Sequence, residues 1–391
     1  MRLVRAAALF LLLLTPPSLA QVPSATLAPD TEARWVPFDL TPGNQVRFRM
    51  AVNGRLATAV LDTGVSYTVA SAAFASRIGL RPAAAGQADA IGGTVTLGWA
   101  AVESLAVGGL ARSGGRIAIA NLTAIVTGGA EPVDMLIGAD LLGEQAVEID
   151  YDARRFRLLR SGRMPFRGTS VPLGLAERSG VFVSEVTLGG RRLRPVIVDT
   201  GDGSAVTLSR EAWEAASLPA APLTTAYAYG LGGGIQTDLT ILPALRIGPL
   251  TARNVEVRIE GGAGFSNLTR TAGRLGSSLL QRYRVLLDPR AGRMILAPGA
   301  TADRAPVRST SGLLVALEGQ SLRVIHVMRH SPAERDGWRP GERICRVDGA
   351  EVPPDYANAA MAVWPADTPG RVVRLGLCEG PERSLTLARF Y

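Results

Sequence analysis

The chain has 391 residues, 47% of them apolar, enough to bury real cores and, by length alone, to suggest two to three domains rather than disorder. Its formal net charge is +8, yet the 42 basic residues are all arginine and scattered without basic runs, which argues against a nucleic-acid footprint. The only cysteines and histidines, Cys345, Cys378, His326 and His330, lie beyond residue 320; a Ser/His or Cys/His hydrolase and a His/Cys zinc cluster are excluded from the chain before them, carboxylates are the chemistry on offer there, and no metal or other cofactor is expected.

Residues 1–20 carry Arg2 and Arg5, an apolar run over 6–14 and the small-residue ending Ser18-Leu19-Ala20, the pattern of a cleavable secretory signal. Cleavage would start the mature chain near Gln21 and, by removing two arginines, lower the charge from +8 to +6. No later stretch has the roughly 18 uninterrupted apolar residues of a spanning helix. The expectation is an exported protein, periplasmic or secreted, with no membrane span after cleavage. Residues 21–35, rich in Pro, Ala and Thr, read as a flexible lead-in.

From Val36 onward, alternating strand patterns such as Val46-Arg47-Phe48-Arg49-Met50 are separated by Asn-Gly, Gly-Gly and Gly-Pro turns, as in an all-β unit. The pattern predicts short helices over 71–78 and 210–216 and after Gly138 and Gly276. The landmarks come twice. Leu61-Asp62-Thr63-Gly64 returns as Val198-Asp199-Thr200-Gly201, Ile91-Gly92-Gly93 as Leu231-Gly232-Gly233, and Leu105-Ala106-Val107-Gly108 as Leu245-Arg246-Ile247-Gly248. Gly138 follows Asp62 by 76 residues and Gly276 follows Asp199 by 77, and Asp150 and Asp288 each close an apolar strand twelve residues later. A register kept over about a hundred residues is an internal repeat, and it divides the chain into lobes at 36–160 and 161–300.

Residues 301–391 differ in character. The run Val324-Ile325-His326-Val327, the helix start Ser331-Pro332-Ala333-Glu334, the turn Pro340-Gly341 and the strand ending Val347-Asp348-Gly349 resemble a bacterial PDZ domain. That resemblance implies a small α+β unit in which the Gly312-Leu313-Leu314-Val315 amides capture C-terminal peptides and the next strand offers an edge for β-augmentation. It also puts the strands of Cys345 and Cys378 in one sheet. The exported compartment permits a disulfide between them, the alternative being two buried small apolar residues. His326 and His330 read as surface or groove residues.

The paired Asp-Thr-Gly motifs, each followed by a Gly-containing turn and a later apolar-Gly segment, resemble aspartic peptidases of the retropepsin and pepsin kind over most of 36–298. The resemblance implies a mainly β, bilobal fold with catalytic Asp62 and Asp199 sharing one proton. Thr63, Gly64, Thr200 and Gly201 would support the dyad, while Ile91, Gly92, Gly93, Leu231, Gly232 and Gly233 would form two flap tips that close on an extended peptide. The alternative for those tips is a pair of ordinary hairpin turns. Both halves lie in one chain, so a monomer acting on polypeptides is expected. Two positions depart from the pattern: Asp202, where a third carboxylate either raises the dyad's pKa values or turns outward into solvent, and Arg274, where an apolar residue is the norm. Asp140 reads as a helix N-terminal carboxylate, and Asp150 and Asp288 as strand-end or turn residues. The reading is an exported aspartic endopeptidase with a PDZ-like recognition domain; the alternative is a catalytically silent peptide-binding protein with the same fold.

Overall fold

A computed structural model describes residues 24–129 and 131–391. The secretory signal read at 1–20 lies outside the described residues. The chain is mainly β, its strands arranged in four sheets among the described residues.

Each repeat builds one sheet by the same path. In the first, Val46–Val52 pairs with Arg55–Leu61, which runs parallel to Met135–Ile137; that strand is antiparallel to Val69–Ser71, and Arg116–Ala120 and the hairpin Gly93–Ala101 and Ala84–Ala90 follow. In the second, Phe182–Leu188, Arg191–Asp199, Gly273–Gly276, Val206–Leu208, Leu250–Ile259, Gly233–Ile247 and Thr224–Gly230 take the corresponding places. The expected helices are present: Ala72–Arg77 begins where Ser71 Oγ accepts from Phe74 N at 3.0 Å, and Arg210–Ala215 where Ser209 Oγ accepts from Ala212 N at 3.1 Å. Ala139–Leu142 and Ser277–Leu280 follow the two glycines.

A third sheet joins the lobes. The hairpin Gln145–Asp150 and Arg155–Arg160 from the first repeat lies against Tyr283–Asp288 and Arg293–Pro298 from the second, with Val147 opposite Leu287 and Ile149 opposite Val285. Fully buried Glu148 ties the halves there, taking Arg157 Nε at 2.7 Å and Arg284 Nε of the other lobe at 2.9 Å. One continuous apolar core runs from Val36 to Leu296 through both lobes.

Two expectations need correction. Ser24–Leu27, placed in a flexible lead-in, is a strand that pairs with Leu110–Ser113, and Thr31 Oγ1 donates to Leu158 O at 2.7 Å. An otherwise open sheet edge and the apolar Leu27 give this segment something to bind. His326 is no surface residue: it is buried against the second lobe, whereas His330 is exposed.

Beyond Pro298 the chain forms a separate small sheet of Leu313–Glu318, Ser321–Val327, Arg343–Val347, Val372–Leu377 and Glu382–Thr386, with Ala350–Glu351 paired to Arg343–Val347. Short helices and its own core around Leu322, Trp338, Ile344, Trp364 and Leu375 complete it. Cys345 and Cys378 form a disulfide across this sheet, with Cα atoms 5.0 Å apart. Among the described residues no helix is long and apolar enough to cross a membrane.

Candidate active site

Asp62 follows the strand Arg55–Leu61 and Asp199 ends the strand Arg191–Asp199. In each case the parallel neighbour carries the later glycine segment, and Asp62 N donates to Ile137 O at 3.1 Å. The chain beyond each aspartate therefore turns out of the sheet. It packs under the glycine, since a Cβ on Gly138 would lie 2.6 Å from the Tyr67 carbonyl carbon and one on Gly276 2.3 Å from Ser204 O.

The two turns meet face to face. Thr63 Oγ1 donates to Val198 O at 2.6 Å and Thr200 Oγ1 to Leu61 O at 2.7 Å, while each hydroxyl accepts the other threonine's amide at 3.1 Å. Both threonines are fully buried, so these bonds are unscreened by water. The glycines set how close the lobes come. A Cβ on Gly64 would sit 2.3 Å from Asp199 Cγ, and one on Gly201 would sit 2.3 Å from Asp62 Cγ. Each carboxyl thus rests on the other lobe's glycine, which brings Asp62 and Asp199 together.

The amides aim at these carboxyls. Gly64 N donates to Asp62 Oδ1 at 3.1 Å, and Gly201 N and Asp202 N both donate to Asp199 Oδ1 at 3.0 Å. Burial pushes Asp62 up to about 6, with the Gly64 and Asp199 hydrogen bonds working the other way. Asp199 is raised well above the carboxylate range by burial and by the charges of Asp62 and Asp202. The pair titrates as a unit and holds a proton well above the usual range.

Asp202 does not turn into solvent. Its Oδ2 accepts from Arg274 Nε at 2.9 Å and its Oδ1 from Ser204 N at 2.8 Å. Burial raises its pKa, but Arg274 and the Ser204 bonds outweigh burial and leave it lowered. The two departures from the expected pattern are thus a single ion pair.

The glycine turns at residues 91–93 and 231–233 cap the Ala84–Ala90 and Thr224–Gly230 hairpins, and their tips touch. Gly232 N donates to Ile91 O at 2.9 Å, and a Cβ on Gly92 would lie 2.3 Å from Gly233 O. Leu231 also packs on the first lobe's cluster of Val60, Val69 and Leu136. Further along, Gly312 precedes the edge strand Leu313–Glu318, with Leu313 buried and Leu314 exposed. The amides expected to be free for a carboxylate are engaged: Gly312 N donates to Ser309 Oγ at 2.9 Å and Leu313 N to Ser311 Oγ at 3.0 Å. Val315 pairs with Val324 just after a register shift that separates it from the pair of Leu314 and His326.

The other acidic residues have structural partners. Asp140 Oδ1 accepts from Thr68 N and Oγ1 at 2.7 and 2.8 Å and its Oδ2 pairs with Arg112 at 2.8 Å. Asp150 caps Ala153 N, and Asp288 takes Ser161 Oγ, Gly162 N and Ala291 N. Sequence reasoning passed over the loop that braces the second turn. There Gln45 Nε2 donates to Gly201 O at 3.2 Å and Asn44 Nδ2 to Ser278 Oγ at 3.0 Å. It also passed over Ser277, whose hydroxyl donates to Thr200 O at 3.0 Å. The one available signal was the Pro42-Gly43-Asn44 turn. Among the described residues no group of three or more His, Cys, Asp or Glu side chains is arranged to hold a metal ion.

A family model described as Aspartyl protease matches this chain twice, over residues 48–141 and 184–279. Each match contains one Asp-Thr-Gly turn and its later glycine. No curated protein matches the chain. The double match supports an aspartyl protease family and, in general terms, peptidase chemistry.

Proposed function

We propose that the chain is an aspartic endopeptidase that hydrolyses extended polypeptides with a water held between Asp62 and Asp199. The carrying observation is the reciprocal junction, in which each carboxyl is backed at 2.3 Å by the position a Cβ would take on the opposite glycine. Like charges this close cannot both ionise, so one proton is shared. The ionised member takes a proton from the water as the oxygen attacks the scissile carbonyl; the protonated member donates to the carbonyl oxygen. The resulting tetrahedral diol collapses as a proton passes to the leaving amine. The touching tips around Ile91 and Gly232 favour a substrate bound in extended form under a closed lid, from which bulk water is excluded.

The silent-binder reading rested on Asp202 disturbing the dyad, and the ion pair of Asp202 with Arg274 weighs against it. We further propose that the protein is exported to the periplasm or secreted, acts as a monomer, and uses residues 301–391 as a PDZ-like unit that engages polypeptides along its edge strand; capture of a C-terminal carboxylate is not favoured, because the Gly312 and Leu313 amides are already engaged. Support comes from the signal-like start, the Cys345–Cys378 disulfide and the edge strand Leu313–Glu318.

Turnover of denatured casein at pH 4–6, with and without a statine-type inhibitor, tests the activity. Asp62→Asn and Asp199→Asn should each lower it on the order of a thousandfold or more, as loss of one member of a catalytic unit does. Undiminished cleavage in either variant sinks the proposal.

A further inference from the structure

Because the lobes are repeats, each position of the second has a counterpart in the first. The register runs from Asp62 and Asp199 to Gly138 and Gly276, so Val65 corresponds to Asp202 and Leu136 to Arg274. In the first lobe this pair belongs to an apolar cluster: Leu136 is buried with Val60, Val69 and Ala118, and Val65 packs on them. In the second lobe the same two places hold a buried ion pair. Arg274 Nε donates to Asp202 Oδ2 at 2.9 Å, its other nitrogens reach Glu260 Oε1 at 2.8 Å and Ser266 Oγ at 3.3 Å, and its guanidinium lies 5.3 Å from the centre of the Phe265 ring. An apolar pair like the one in the first lobe would hold the fold at least as well, so stability alone gives no reason for the charges.

The network is wired to the dyad. The amide of Asp202 donates to Asp199 Oδ1 at 3.0 Å, and Gly276, on the Arg274 strand, is the partner of Asp199 in the sheet. The amide of Val65 likewise hydrogen-bonds the Asp62 carboxyl, but the side chains of Val65 and Leu136 carry no charge, so no ion pair stands behind that contact. We propose that Arg274, acting through Asp202, is a positioning residue that makes the two aspartates unequal, fixing the Asp199 carboxyl and setting the charge it faces. The inference rests on the reading of Asp62 and Asp199 as a proton-sharing dyad. The charged groups that bear on Asp199 are Asp62 from the other lobe, Asp202 from its own turn and Arg274 from Gly273–Gly276, with Glu260 beyond Leu250–Ile259 acting on Arg274. Asp202 favours proton retention and Arg274 opposes it.

Two partners of one ion pair should therefore act in opposite directions. The test follows the titration of the dyad itself, by carbon NMR of the full chain labelled at aspartate Cγ and assigned with Asp62→Asn and Asp199→Asn. It needs no turnover, so absence of cleavage by wild type would overturn the peptidase reading while leaving this measurement intact. Asp202→Asn should move the apparent pKa values of the dyad down and Arg274→Met should move them up, each on the order of one unit. Arg274→Lys, which keeps the charge, should stay close to wild type. A purely structural role would lower the melting temperatures with superimposed titrations. If Arg274→Met does not fold, Asp202→Asn decides alone, because Arg274 there keeps Glu260. An unshifted titration in Asp202→Asn, or shifts of the same sign in both variants, overturns the proposal.

Discussion

The Nε2 atom of His326 lies 2.8 Å from the Thr225 hydroxyl, at the root of the hairpin whose tip meets Ile91. The small C-terminal sheet thus grips the second lobe's hairpin. Thr224 Oγ1 donates to Arg329 O at 2.6 Å, and Arg329 NH2 donates to Asp238 Oδ1 at 2.9 Å, beside Arg210 on the same carboxyl group. Met328 packs on Ala226 and Leu239.

The grip is expected to depend on pH. Thr225 Oγ1 accepts from Arg329 N at 3.0 Å and shares a hydrogen bond with His326 Nε2. Burial lowers the His326 pKa below 6.5 and so favours the neutral ring in the docked state, with a backbone hydrogen bond of Thr225 acting the other way. The sign follows from linkage: the contact contributes its full stability above about 6.5 and loses it as pH falls through the docked-state pKa. Hydrogen exchange over residues 224–240 should be slow at pH 7.5 and, corrected for intrinsic rates, faster towards pH 5. His326→Asn, which has no titrating ring, should remove that pH dependence, and Thr225→Val should speed exchange about fivefold at pH 7.5, the loss of about 1 kcal/mol. Protection in wild type that does not vary with pH contradicts the expectation.

The dyad itself weighs on the fold. With Asp62 raised to about 6 and Asp199 raised further by burial and neighbouring charge, the folded state binds more protons than the unfolded chain above pH 3.8. Stability contributed by these groups therefore declines as pH rises from 3.8 through about 6. Asp62→Asn, which carries no charge to bury, should be more stable than wild type at pH 7.5 by about 1–3 kcal/mol and close to it at pH 4. Thermal unfolding at the two pH values reads this directly. Equal differences at both would show that the carboxyls ionise freely in the fold.

What could be read from the sequence was whatever repeats locally. The twin turns, the two hairpin tips and the helices after Ser71, Ser209, Gly138 and Gly276 are short-range patterns, and the structure forms these elements at those places. Pairings between distant segments were not legible. Arg274 and Asp202 each stood out as an oddity, but they are 72 residues apart, and nothing in either stretch says that they touch. Glu260 and Ser266 gave no signal at all. A division at residues 160 and 161 also hides the sheet that both lobes share, because strand partners such as Ile149 and Val285 are set by closure of the whole fold. His326 was misread for the same reason: docking of one domain on another leaves no periodicity in either.

The contact between the flap tips can be broken at one atom. Gly232 has no left-handed backbone, so alanine there carries little conformational strain. The obstacle is space: a Cβ would lie 2.3 Å from Gly93 N and 2.5 Å from Gly93 O, backbone atoms that cannot rotate away. In Gly232→Ala the tips must therefore part, and the bond from Gly232 N to Ile91 O must lengthen or break. Leu231, the one apolar side chain of this tip, is only partly buried on the first lobe's cluster, so the melting temperature should fall little. A lid that no longer closes admits water and leaves the substrate loosely placed, for which a loss of kcat/KM on the order of tenfold to a hundredfold is expected. Gly174→Ala is the control, since that glycine has ordinary backbone and no atom within 4 Å of the added Cβ. Wild-type kinetics in Gly232→Ala would mean that the two tips need not meet for cleavage, and the hairpins would then be ordinary turns at the edge of the site.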